Sequence, residues 1–338
     1  MNATMTPPLY ILSSERSGSN LLRTRLSQAQ RSLHGDSPAH FLKHLHFGSF
    51  RYGDLAVDEN FRKLIQDAID LTQLHFKPWV FQPDVDSVMG KYPAGLQRSA
   101  ILVAHFLMTE NARHHGCGSY ICKDNWLYEF ANQLTLFLEN VKFVHLFRDP
   151  RDFVLSQMRR VGTHRSVYAY ARLWQYEQIK CIAQQKLDPE NVIPLSYESF
   201  IADEFSQVEK LLDFLGLQRQ ENISKDRQAV IPDWSNLDKP TMRNNSGKYH
   251  EGFGEREIKI IESVCWEEMK YLGYTCESES RPKVSRLHAA IDVLVGKMLG
   301  KPAANSGSNG VSDEVGKRIE LRRKFITALR VNYRNADL

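Results

Sequence analysis

Leu9-Tyr10-Ile11-Leu12-Ser13-Ser14-Glu15-Arg16-Ser17-Gly18-Ser19-Asn20-Leu21-Leu22 decides how this chain is read. Leu9 to Leu12 is a short apolar run of strand length, ended by Ser13-Ser14. From about Ser17 to Gln30, the positions Leu21, Leu22, Arg25, Leu26 and Ala29 keep helical spacing. The order is strand, tight loop, helix. Backbone N–H groups in such a loop converge at a helix N-terminus, and together with the helix dipole they bind an anion. Gly18 lets the backbone approach closely, Ser17 and Ser19 add hydroxyl donors, and Arg16 adds a planar, permanently charged fork suited to phosphate oxygens. The pattern GxxxxGK[ST] is absent, which weakens a nucleotide-kinase reading.

Further along, Tyr120-Ile121-Cys122 is a second candidate strand, with a helical stretch from Trp126 to Leu138. Val141 to Phe147 is the clearest later strand. Arg148-Asp149-Pro150 breaks it, and a helix starts near Pro150, where proline is favoured in a first turn. Val192 to Leu195 is another strand, followed by a helix over Phe205 to Leu215 closed by Gly216. Strands alternating with helices predict a three-layer α/β fold, a central mostly parallel sheet flanked by helices. Ligands of such sheets sit beyond the carboxyl ends of the strands. Both strong motifs, after Leu12 and after Phe147, fall at such ends. In the second, Arg148 leaves the strand and Ser156 follows eight residues later, about two helical turns into the next element. A ligand lying across the strand ends could touch both. The plain alternative is a charge cluster capping a helix, with Asp149 as N-cap.

The bulk numbers set limits. The 338 residues are 42% hydrophobic and 25% charged, with a net charge of +4. This suits an anionic ligand but is too weak and dispersed to argue for nucleic acid. Five cysteines without a CxxC pair argue against zinc or a disulfide framework, and the expected location is cytoplasmic. No stretch approaches the roughly 20 apolar residues of a transmembrane helix. Residues of about 34–115, rich in His, Phe and Asp, are expected to form an insertion or lid with some helix, for example Asn60 to Leu74. The main domain is expected over 1–280. A C-terminal extension, 281–338, carries a linker-like stretch at about 302–312 and then a basic helix from Asp313 to Val331, suited to subunit packing in a homo-oligomer or to a mobile tail. Trp79, Phe81, Trp126, Trp174 and Trp234 read mainly as core, with a lesser reading as acceptor-pocket walls. Arg159, Arg160 and Arg165 read as a solvated helix end.

Together the two motifs resemble those of sulfotransferases that use 3′-phosphoadenosine 5′-phosphosulfate (PAPS). Arg16-Ser17-Gly18-Ser19-Asn20-Leu21-Leu22 is similar to the family's 5′-phosphosulfate loop, and Arg148 with Ser156 matches the spacing of its 3′-phosphate motif. Lys123, Tyr197-Glu198, Phe214-Leu215-Gly216, Ser246-Gly247-Lys248-Tyr249 and Leu272-Gly273-Tyr274 resemble further family segments in the same order, over residues 8–275. Within the family, the chain looks closest to a bacterial group with ERSGSNLL followed by Pro-x-His, here Pro38-Ala39-His40. The resemblance implies a P-loop-like fold. Arg16, Ser17, Gly18, Ser19 and Asn20 would hold the phosphosulfate, and Arg148 and Ser156 the 3′-phosphate. Tyr197 would meet the adenine. Lys248, with Arg243, would reach the phosphates from a loop that turns at Gly247.

The implied reaction moves a sulfuryl group from PAPS to a hydroxyl or amine of a small-molecule, carbohydrate or lipid acceptor, releasing PAP, without a metal. Positioning and electrostatic stabilisation would do most of the work, with Arg16 at the leaving group. A hydroxyl acceptor needs a base. His34, Asp36, His40, His44 and His46 are the candidates; His40 is favoured because an imidazole titrates near neutrality, and Asp36 follows. A P-loop small-molecule kinase and a non-catalytic nucleotide-binding protein remain the competing readings.

Overall fold

The computed structural model describes residues 6–159, 166–220, 240–299 and 313–334. Arg160, Arg165, Trp234 and the stretch 302–312 lie outside them. Five strands, β1 (Leu9–Ser13), β2 (Leu33–His34), β3 (Ser119–Cys122), β4 (Lys142–Phe147) and β5 (Val192–Ser196), form one sheet in the order β2-β3-β1-β4-β5. Every pairing is parallel. Pro194 lies on the edge strand β5, where a missing N–H is tolerated.

Helices cover both faces, as the alternation of strands and helices requires. Leu9 and Ile11 of β1 pack with α1 (Ser19–Ala29), α8 (Tyr197–Ala202) and α9 (Glu204–Phe214) through Leu22, Leu26, Phe200, Leu211 and Leu212. Tyr10 and Leu12 point to the other core, built by α2 (Asp58–Gln73), α3 (Val85–Lys91), α4 (Ala100–His114) and α5 (Ala131–Phe137). Most of the stretch expected as an insertion or lid thus packs into this second core through Phe61, Leu64, Ile65, Val103 and Leu107. A third cluster joins α6 (Pro150–Met158), α7 (Val167–Leu187) and α11 (Glu255–Tyr271) around the fully buried Trp174. Three further helices, α10 (Tyr249–Gly252), α12 (Arg286–Leu299) and α13 (Asp313–Arg334), complete the order.

The helix expected over Trp126 to Leu138 is divided. Trp126 takes a left-handed conformation (φ 70°), a 3-10 turn covers Leu127–Glu129, and α5 starts at Ala131. A non-glycine residue in that conformation interrupts a right-handed helix. Trp126 is 38% exposed, unlike the buried Trp79 and Trp174. Phe325 and Ile326 of the C-terminal helix α13 pack against this chain's own second core.

Candidate functional site

The loop between β1 and α1 is held in an irregular shape by neighbours far away in sequence. Arg16 and Gly18 both have positive φ, 66° and 85°. A methyl group added at Gly18 would lie 2.5 Å from Tyr197 Cδ2, so the loop is pressed against the Tyr197 ring and only glycine fits. Below the loop, Gln178 of α7 donates to Ser14 Oγ (3.0 Å) and accepts from His145 Nε2 (2.9 Å). His145 is fully buried, and burial pushes its pKa down, so it stays a neutral strut.

Arg148 leaves the end of β4 and meets this loop. Its guanidinium donates to Arg16 O (3.1 Å) and to Asn245 O (3.0 Å), and lies 4.6 Å over the Tyr197 ring. Asn245 in turn donates to Tyr197 Oη at 2.6 Å. The Arg148 carbonyl is held by Trp174 Nε1 (3.0 Å). Arg16 reaches across: its Nε donates to Ser156 Oγ at 3.3 Å. The residues expected at the two phosphates, Arg16 and Ser156, therefore touch, and Arg148 bridges loop and strand end.

The later loop closes over the same place. Asp152, almost fully buried, accepts from Gly247 N (2.8 Å) and Tyr249 N (3.0 Å), and lies 3.6 Å from Arg148. Gly247 has φ 70°, as the expected turn requires. Lys248 is half-buried at the start of α10. Arg243 is exposed, and its charge acts on Asp203. Tyr197, expected at the adenine, is 4% exposed and packed between Gly18 and Arg148, leaving little ring surface for a base to stack on.

Among the described residues, the buried Ser17 Oγ and Arg148 Nε have no hydrogen-bond partner. Buried polar groups are rarely left unsatisfied. A hydroxyl and a guanidinium N–H at a glycine-bearing helix N-terminus are a donor set for an anion with several acceptor oxygens, and they fit a phosphate or phosphosulfate group. Among the described residues, no group of three or more His, Cys, Asp or Glu side chains is placed to hold a metal ion.

The expected base residues lie on the other side of the loop. His40 follows β2 in a left-handed turn (φ 61°), just before a π-helical turn over Leu42–His46. Its Nδ1 accepts from Asn125 N (3.1 Å) and stands 3.7 Å from Asp124 Oδ1. Phe41 N donates to Asp124 Oδ2 (3.0 Å). Burial, reinforced by Lys123, Arg322, His44 and Lys43, pushes His40 well below the usual imidazole range, so the ring is neutral near pH 7. Asn125 links this turn to the anion loop: its side chain donates to Glu15 Oε1 and accepts from Lys123 Nζ, each at 2.7 Å. Burial lowers Lys123 to about 8.

Asp36 is engaged elsewhere. It accepts from Ser37 N (2.6 Å) and Asn111 Nδ2 (3.2 Å) and lies 3.3 Å from His34 Nε2. Burial pushes its carboxyl up, but the contacts with His34, Ser37 and Asn111 outweigh burial and hold it below the usual range. A carboxylate so occupied orders the turn after β2. His44 lies edge-on to His40, 6.2 Å between centroids, and His46 packs on Phe130.

The sequence reading missed Asp124, Asn125, Asp152 and Asn245 as members of the site. The first two had a signal, a run of polar residues directly beyond the carboxyl end of β3. Asn245 stands next to the Ser246-Gly247 turn and could have been read with it.

A family model described as "Sulfotransferase family" matches residues 7–221, which span β1 to the end of α9 and so include both strand-end motifs. Among solved structures, the sulfotransferase domain of the Synechococcus PCC 7002 olefin synthase is similar over 76% of this chain and 94% of its own, with a TM-score of 0.50 and 17% identity. A sulfotransferase domain from the curacin biosynthetic pathway covers 97% of each chain at 15% identity, with a TM-score of 0.43. At 17% identity the likeness to the olefin synthase domain speaks to the fold alone. No curated protein sequence matches. With most of its length covered by the family model and an all-parallel sheet carrying both anion motifs at its strand ends, the chain belongs to the sulfotransferase family.

Proposed function

We propose that the protein transfers a sulfuryl group from PAPS to a hydroxyl, or an amine, of a small-molecule, carbohydrate or lipid acceptor. The observation that carries this reading is the clamp: Arg16 against Ser156, bridged by Arg148, with the donors Ser17 Oγ and Arg148 Nε buried and unpartnered. A co-substrate with anionic groups at both ends suits it better than a single phosphate.

In the reaction, the acceptor oxygen attacks sulfur in line. The bond from sulfur to the bridging oxygen of the 5′-phosphate breaks, and the electron pair leaves with PAP. Arg16 and the loop donors stabilise that developing charge; removing one such donor typically costs about 2.7–4 kcal/mol of barrier. Arg16 cannot supply a proton, because guanidinium stays charged. We assign Tyr197 to shaping the loop, and Lys248 to the phosphates from the closing segment. Arg243, exposed and facing Asp203, is assigned no contact.

His40 is the proposed proton acceptor. Its Nδ1 lies between two groups. With the ring proton on Nε2, Nδ1 accepts from Asn125 N–H. For Nε2 to take a proton from the acceptor hydroxyl, the ring proton must sit on Nδ1, which requires Nδ1 to turn from Asn125 N–H toward Asp124, 3.7 Å away. Asp124 then orients the ring as a carboxylate orients the histidine of a catalytic triad.

The test is a thermal-shift comparison of adenosine 3′,5′-bisphosphate with ATP and magnesium, followed by an acceptor screen with radiolabelled PAPS. A ligand that binds only the folded state must raise Tm. Stabilisation by the bisphosphate is expected. Stabilisation by ATP–magnesium alone would replace this reading with a kinase.

A further inference from the structure

We propose that Arg322, on the C-terminal helix α13, is a positioning residue of this site: it fixes the peptide that presents His40. The inference deepens the reading above and rests on His40 belonging to the site.

Arg322 lies far beyond the segment matched by the family, yet its guanidinium ends in the second core. One nitrogen, Nη2, donates to Ala39 O at 2.8 Å, and the other, Nη1, donates to Leu71 O. Leu71 lies in the last turn of α2, where carbonyls lack intrahelical partners and a cation is favoured by the helix dipole. Ala39 immediately precedes His40. One planar side chain therefore ties the end of α2 to the residue before the left-handed turn. This fits arginine, whose rigid fork serves two acceptors at once.

The turn needs such holding. A left-handed conformation is costly for a non-glycine residue and persists only where the surroundings enforce it. Around His40 three hydrogen bonds supply that enforcement. Arg322 holds the carbonyl before it, Asp124 accepts the N–H after it, and Asn125 N–H meets its ring. A second tie from α13 lies alongside: Arg51 donates to Leu329 O (3.2 Å) and to His44 O (3.2 Å), joining the helix to the π-helical turn. Phe325 and Ile326 seat the helix on the core between these ties.

Burial brings Arg322 down to about 10, with Asp124 opposing the change. The charged groups around the His40 ring are Lys43 and His44 on the π-helical turn, Lys123 and Asp124 at the end of β3, and Arg322 on α13. Removing the Arg322 charge therefore favours protonation of His40, and removing its fork frees the turn.

The experiment uses the full-length chain labelled with 15N, following imidazole nitrogen signals from about pH 5 to 8. The His40 signals are assigned by their loss in His40→Gln. In the unmodified protein they should show one neutral tautomer that does not titrate over this range. In Arg322→Gln they should average between tautomers and begin to titrate at the acid end of this range. Arg318→Gln removes the same charge from a position on the same helix that pairs with Glu314, and should leave them unchanged. Arg322→Lys keeps the charge but cannot span both carbonyls; it should average the tautomers with little change in titration, and it carries the test if Arg322→Gln does not fold. His40 signals in Arg322→Gln or Arg322→Lys identical to those of the unmodified chain would overturn the proposal, as would an equal shift in Arg318→Gln. Bisphosphate binding by the unmodified protein is measured in parallel, so failure of the PAPS reading is seen separately.

Discussion

The two sides of the anion loop are built on different principles. On the donor side, the loop, Arg148, Tyr197 and Asp152 lock into one another within a few ångströms, and the parts come from neighbouring strand ends. On the acceptor side, His40 is a strained residue held by three groups from β3's end and the C-terminal helix. The donor side is rigid by local packing. The acceptor side is rigid only while distant pieces stay docked. Binding should therefore survive damage to the acceptor side, whereas turnover should be sensitive to both.

The strongest challenge to this contrast is Arg16→Ala. PAPS-dependent turnover should fall by about 10²–10³, since a donor at the leaving group is lost. His40→Ala should lower turnover by ~10²-fold while calorimetry finds bisphosphate affinity nearly unchanged; full turnover in this variant would remove His40 from the mechanism. Gly18→Ala should act on the donor side alone. The new Cβ meets the buried Tyr197 ring at positive φ, so stability should drop by roughly 1–3 kcal/mol in urea titrations, and bisphosphate stabilisation should weaken.

Asp152→Asn loosens the closing loop, because one amide cannot accept from both Gly247 and Tyr249 as the carboxylate does. The expected loss is about 1 kcal/mol, or roughly fivefold in bisphosphate affinity. Acid should also separate the two sides. Burial lowers His75 to about 3 and His105 to about 4, both in the acceptor-side half. These folded-state values lie below the unfolded value near 6.5. As pH falls below about 6.5, the unfolded chain takes up protons that the folded chain refuses, so stability is lost. The slope approaches about 1.4 kcal/mol per pH unit for each group, down to its folded value. His105→Gln should flatten the pH dependence of the urea midpoint between about pH 6 and 4; an unchanged slope would exclude His105 as a source.

The same contrast explains what could be read from sequence. β1 with its loop, and β4 with Arg148, are continuous signals: an apolar run, a breaker, a helix start. Ser156 was found by spacing alone. The long helix α7 passed unnoticed because it buries Glu177, Gln178 and Gln184 along with Trp174 and Cys181, which blurs the apolar periodicity. In α4 ten of fifteen residues are buried, Asn111 among them, so no single apolar face stands out. The acceptor side was least legible. Asn125 meets His40 across 85 positions and Arg322 meets Ala39 across 283, and no local pattern records such pairs. Trp126 shows the limit of propensity: a helix-length pattern yields to one left-handed residue beside the site.

The unnoticed helix also sets a length. Trp174 holds the Arg148 carbonyl and Gln178 holds Ser14, and these two positions stand one above the other on a single face of α7. The residue just beyond β1 and the residue just beyond β4 are thus hung on one rod, about 5–6 Å apart at their points of attachment. The two ends of the clamp cannot drift independently. On the proposed reading the helix would act as a ruler, so that the span between a ligand's anionic groups is tested before any base or acceptor is recognised.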